Sequence, residues 1–213
     1  MNRHHQRLRN GIVASLSGGL AVFGLATVRP VAANAAQGCT STISGAHSGV
    51  INVAAQQTLC LRNAVQDGAV NVAPGGGLSV FGSTVTGAVT LKAGYSSLSF
   101  CASQTVRGAI SATGGSGPVE IGGAGLLGLL FCPSNTIDGA VTLDANLAGV
   151  TLAGNQVNGA VTASANLGGT TISGNRIAGA LTCTTNAPPP TNAGVRNSVG
   201  GGRSGQTCSV LTF

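Results

Sequence analysis

Gly139-Ala-Val-Thr-Leu-Asp-Ala-Asn-Leu-Ala-Gly-Val-Thr-Leu-Ala-Gly-Asn-Gln-Val-Asn158 is followed at once by Gly159-Ala-Val-Thr-Ala-Ser-Ala-Asn-Leu-Gly-Gly-Thr-Thr-Ile-Ser-Gly-Asn-Arg-Ile-Ala178. The second stretch repeats the first nearly column for column. Repetition at a fixed period of about twenty residues is the mark of a solenoid. The same Gly-Ala-Val-like tripeptide leads further copies at Gly68, Gly87, Gly108 and Gly179, with a looser one at Gly49. The spacings from Gly49 onward are 19, 19, 21, 31, 20 and 20.

Stacked on their glycines, the copies form columns. Two residues after the glycine stand Ile51, Val70, Val89, Ile110, Val141, Val161 and Leu181; four after stand Val53, Val72, Leu91, Ala112, Leu143, Ala163 and Cys183. The position between them is polar in every copy. An apolar, polar, apolar order is the period of a strand with one buried face. Asn155-Gln-Val157 and Asn175-Arg-Ile177 add a further short strand after Gly and Asn turns. A strand this short buries its face only against copies above and below it, about 4.8 Å away. The reading is therefore an all-β, single-stranded parallel β-helix (β-solenoid) of about six to seven coils of about twenty residues. Helices are disfavoured by the glycine content. A β-sandwich, the competing fold, needs no such fixed register.

The division expected is a signal peptide at 1–35, an amino-terminal cap at 36–48, coils over 49–200 and a carboxyl-terminal cap at 201–213. Residues 1–9 are basic, 11–28 apolar and uncharged, and Ala33-Asn34-Ala35 fits a small-residue cleavage site. A retained anchor and a lipid on Cys39 are the alternatives. No second apolar run is long enough to span a membrane. Beyond residue 35, six cations face four acids, a net of +2 rather than the +6 of the whole chain. Six scattered cations do not make the dense stripe that nucleic acid requires.

All six cysteines, Cys39, Cys60, Cys101, Cys132, Cys183 and Cys208, follow the cleavage site, and an even count in an exported chain reads as three disulfides. Without a C-x-x-C pair, and with His47 the one histidine beyond residue 35, a metal site is not expected. Cys101 and Cys132 each lie seven residues before a coil glycine. They therefore stack in adjacent coils, inside disulfide range. Cys39 and Cys60 are 21 residues apart, one coil, and should pair at the amino end, leaving Cys183 and Cys208 for the other. The long repeat after Gly108 holds about eleven extra residues, read as an insertion at about 113–128, a flap over the stack or, through Leu126-Leu127, a contact loop. Phe100 and Phe131 read as sharing one core column. Arg203, falling on the buried apolar column, reads as part of a cap that stops further stacking.

These coils, the Asn-x-[Val/Ile]-x-Gly motifs at Asn155 and Asn175, and the closing run of Leu181-Thr-Cys183, Pro188–Pro190, Asn197-Ser-Val199 and Gly205-Gln-Thr-Cys208 resemble small secreted parallel β-helix proteins of actinomycete-type bacteria. The resemblance covers most of the chain after residue 35. It implies fold and export only, since that family has no assigned activity. The chain is also similar to the wider right-handed β-helix class, which implies a right-handed coil and carries over no functional residue.

A polysaccharide-active solenoid works with clustered carboxylates. Asp138 and Asp144 lie about 20 Å apart along one strand, Asp67 and Asp138 about 14 Å apart across three coils, and a glycosidase pair needs about 5–9.5 Å. Glu120 has no evident partner, and a Ser/His/Asp triad would need His47, which reads as a surface histidine. With no Trp and one Tyr, Tyr95, an aromatic sugar platform is missing. The feature left is the outward column Asn71, Thr90, Ser111, Thr142, Thr162 and Thr182, each two residues after an alanine. Such an Ala-x-Thr ladder suits ordered water or a regular polymer. The expectation is a non-enzymatic secreted structural or adhesion-type protein without cofactors, facing a cell-envelope component, a polysaccharide or a protein surface. The alternatives are an ice- or crystalline-polysaccharide-binding module and, weakest, a polysaccharide-active enzyme.

Overall fold

A strand with one apolar face and two bare edges is satisfied when copies of itself bond to both edges. The computed structural model has that arrangement. It describes residues 38–102, 104–123, 132 and 134–213, all within one compact unit, Asn34–Phe213. The signal peptide expected at 1–35, Leu126-Leu127 and Phe131 lie outside the described residues.

The chain winds as a three-sided parallel β-solenoid. Its first face is an eight-stranded sheet: Ile51–Val53, Val70–Val72, Val89–Leu91, Ile110–Thr113, Val141–Asp144, Val161–Ser164, Leu181–Thr184 and Arg203–Ser204. The second and third faces form one 13-stranded sheet. They are joined because the long strand Thr58–Asp67 turns the corner, pairing first with Gly77–Phe81 and then with Thr84–Val85. The second face continues through Ser97–Cys101, Val119–Ile121, Val150–Ala153 and Thr170–Ser173. The third continues through Thr105–Val106, Thr136–Ile137, Gln156–Val157, Arg176–Ile177 and Ser198–Val199. Every strand pairing is parallel and in the register of the repeat, with Val141 beside Val161 and Leu143 beside Ala163.

The columns read as apolar close the interior: Val70, Val89, Ile110, Val141, Val161 and Leu181 are fully buried. Each such side chain contributes about 1.5–3 kcal/mol by leaving water. The leading glycine has a different cause. A Cβ on Gly159 would stand 2.5 Å from the Gly139 carbonyl oxygen, and one on Gly108 2.5 Å from the Ala88 nitrogen. At this corner backbone rests on backbone, so no side chain fits.

Four boundaries differ from the sequence reading. The stack has about eight turns rather than six to seven. Within the cap expected at 36–48, Ser41–Ser48 is itself a strand in register with Leu59–Asp67. At the far end Arg203–Ser204 still pairs with Leu181 and Thr182, so the coils run past 200. The insertion also sits later than 113–128. Thr113 pairs with Asp144, and Val119–Ile121 pairs with Val150–Leu152, as in an ordinary coil. The extra residues therefore fall between Gly122 and Asn135. Phe100 accordingly stacks between Val80 and Ile121.

Candidate functional site

The six residues singled out as a binding face do form one column. Register runs from Asn52 through Asn71, Thr90, Ser111, Thr142, Thr162 and Thr182 to Ser204 without a break. Their side chains point outward from the first face, and Asn71 to Thr182 are half-buried against one another. Asn71 Nδ2 donates to Asn52 Oδ1 at 3.1 Å, and the Thr182 and Ser204 hydroxyls lie 3.0 Å apart.

A second outward column lies two residues on: Thr113, Asp144, Ser164 and Thr184, again in register. The sequence reading stopped each strand one position short of it. The signal was present as a polar residue at the fifth place after Gly108, Gly139, Gly159 and Gly179. The Ser164 hydroxyl donates to Asp144 Oδ1 at 2.5 Å. From the rank of Thr113 to that of Thr184 the face thus carries two polar groups per rank. Ranks repeat at about 4.8 Å up the stack, with about 6.6 Å between columns.

The other two faces lack such a column. On the second, Ser79, Ser99, Glu120, Thr151 and Thr171 align, interrupted by a charge. On the third, Val65, Thr84, Thr105, Thr136, Gln156 and Arg176 mix apolar, long and charged side chains.

Two buried amide ladders run along corners of the stack, and the sequence reading took their members for turn residues. At one corner the Asn146 side-chain amide and main-chain N–H both donate to Asn166 Oδ1, at 2.9 and 3.0 Å. Asn166 donates likewise to Asn186, and Asn186 to Gln206 Oε1. The second amide hydrogen of each asparagine goes to a main-chain oxygen, as from Asn166 to Leu143 at 2.9 Å. Tyr95, fully buried, heads this ladder by donating to Asn146 Oδ1 at 2.6 Å. Burial pushes its phenol well above the ordinary tyrosine range. The second ladder runs from Asn135 through Asn155 and Asn175 to Asn197. It ends on the Phe213 main-chain oxygen, which accepts from Asn197 N at 2.8 Å. The side-chain-to-side-chain bonds of both ladders all run toward the carboxyl end, so the amide dipoles align and reinforce one another.

The three disulfides pair as the register required: Cys39–Cys60, Cys101–Cys132 and Cys183–Cys208, with Cα separations of 5.6, 4.5 and 5.8 Å. Such bonds mark a chain that folds in an oxidising compartment. Among the described residues no helix is long and apolar enough to cross a membrane.

The acids are engaged separately. Asp67 Oδ1 accepts from the Thr86 hydroxyl at 2.8 Å, Asp138 Oδ1 from Asn158 at 2.8 Å, and Asp144 from Ser164. His47 shares a 2.6 Å hydrogen bond with Gln66. Arg203 sends one nitrogen to the Asn197 oxygen at 2.6 Å beneath the last turn. Comparison with protein-family models, curated proteins and solved structures gave no match.

Proposed function

We propose that this is a secreted, non-enzymatic β-solenoid of the structural or adhesion type, and that its first face lies against an ordered surface. The observation that carries the reading is the outward column from Asn52 to Ser204, eight ranks of small, uncharged hydroxyl and amide groups in strict register. Small side chains leave a flat plane. Their dense packing in half-buried rows removes the rotamer entropy that long side chains lose on binding. One weak hydrogen bond per rank, repeated along a rigid body, adds up by multivalency. The surface is a regular polymer of the cell envelope or a crystalline polysaccharide. Ice is the second reading, favoured by the two polar groups per rank in the upper coils. The separate engagement of Asp67, Asp138 and Asp144 supports a binding rather than a hydrolytic role. The resemblance to secreted β-helix proteins without assigned activity agrees with export.

The test is co-sedimentation of the oxidised chain with crystalline cellulose, chitin and isolated envelope, with thermal hysteresis measured in parallel and soluble sugar release followed throughout. Saturable binding to one solid, or hysteresis, without sugar release is the expected result. Sugar release abolished by replacing Asp138, Asp144 or Glu120 contradicts the reading.

A further inference from the structure

The two ends of the stack are finished differently. At the carboxyl end the last strands, Ser198–Val199 and Arg203–Ser204, are two residues long. Pro188 to Pro190 offer no N–H to a neighbour, Arg203 stands on the interior column, and Cys208 and Phe213 are buried. Short strands, proline and charge are the means by which sheets are kept from pairing at an edge.

Among the described residues the amino end lacks the proline and the charge, and its strand along the second and third faces is long. Ser41–Ser48 runs for eight residues and, among the described residues, pairs only with Thr58–Asp67. Ile51–Val53 opens the first face in the same one-sided way. From Thr40 to Gln57 there is no Asp, Glu, Lys, Arg or Pro. The Cys39–Cys60 bond fastens the start of this edge to the next coil. Ile43 and Ile51, at the end of the apolar interior, are only partly covered. The single irregularity is the register shift between Ile43 and Gly45, at the corner between the second and third faces.

We propose that this edge is the contact surface for a second copy of the chain, in a two-fold, head-to-head dimer. An uncharged edge suits its own copy because no like charges meet across the contact. The finished far end limits the assembly to two, where an open far end would give a filament. A two-fold axis perpendicular to the stack reverses strand direction, so the edges pair antiparallel. With the axis through the middle of the first face and the opposite corner, each copy's Ser41–Ile43 segment lies beside the other's Gly45–Ser48 segment. The register shift then falls on the axis, at the corner. On the first face, Asn52 meets Asn52. The same axis brings both first faces to one side, so the outward ladder continues from one copy into the next. The dimer stands or falls independently of what that face binds.

The test is sedimentation equilibrium on the chain purified with its disulfides intact, beside the exposed-site variants Asn52→Asp and Asn52→Lys. Asn52→Asp keeps the oxygen that accepts from Asn71, and both variants should keep the far-ultraviolet spectrum. The wild type should dimerise. Each variant alone should do so at least about tenfold more weakly, and an equimolar mixture of the two should recover as a heterodimer. A wild type still monomeric at about 100 µM, a larger assembly, or variants that dimerise unchanged would each overturn the proposal. So would a chain that dimerises only after the residues before Gly38 are removed, since those residues would then be the edge's own cover.

Discussion

Gly159 leads its coil for a reason of space, not of flexibility: its neighbour below is the Gly139 peptide. Gly159→Ala should cost about 2–3 kcal/mol in urea unfolding, whereas Gly202→Ala, where nothing stands within 4 Å, should be close to neutral. The asparagines act by satisfaction rather than space. Asn166→Ala leaves the Asn146 N–H and one Asn146 amide hydrogen without their acceptor and takes a donor from the Leu143 oxygen. At about 1–3 kcal/mol for each buried group left unpaired, the loss should reach roughly 3–5 kcal/mol by the same measurement. Tyr95 gives a pH signature. Its folded pKa is raised by burial, so its contribution is complete below the ordinary tyrosine value of about 10 and is lost as pH rises past it, because only the unfolded chain releases the proton. Stability should fall above about pH 10, and Tyr95→Phe should remove that slope while costing about 1 kcal/mol at neutral pH through the lost bond to Asn146. The chain has one tyrosine and no tryptophan, so phenolate absorbance follows this residue alone and should appear only with unfolding.

At the scale of strands and links, the first face was legible in the sequence because its code is complete there: a glycine, then alternation of two. The disulfides were legible for the same reason, since a column position fixes a neighbour. The asparagine ladders were not. Asn155 after Gly154 spells a turn whether its side chain points to water or into the interior, and only stacking tells the two apart. Ser41–Ser48 was hidden because, as an edge strand with mostly exposed side chains, it lacks the alternation that burial imposes. The insertion was misplaced because Gly114 to Gly123 is as glycine-rich as a loop, yet Val119 and Ile121 carry the buried face. The cross-links differ in what surrounds them. Sequence separations of 31 and 25 residues for Cys101–Cys132 and Cys183–Cys208 imply similar loop-closure contributions, about 3–4 kcal/mol each. Cys183 and Cys208 are also fully buried. Paired alanine substitutions should therefore destabilise the chain more at the carboxyl end than at Cys101–Cys132, as read by denaturant midpoints.

At the scale of the whole molecule, the stack converts a twenty-residue period into a rigid plane. Each turn contributes little alone; parallel pairing, the apolar columns and the two aligned ladders make every turn depend on its neighbours. Function is then a property of a face and not of a residue. The central claim is that the first face, and not its two companions, is the working surface. The most direct measurement is binding to the recognised solid by Thr142→Leu/Thr162→Leu on the first face, against Thr151→Leu/Thr171→Leu on the second. All four positions point outward in register, so the two double variants share chemistry and differ in place. Loss of at least about tenfold in affinity for the first pair, with wild-type binding by the second, is the result this account predicts. Equal loss in both, or none in the first, would contradict it.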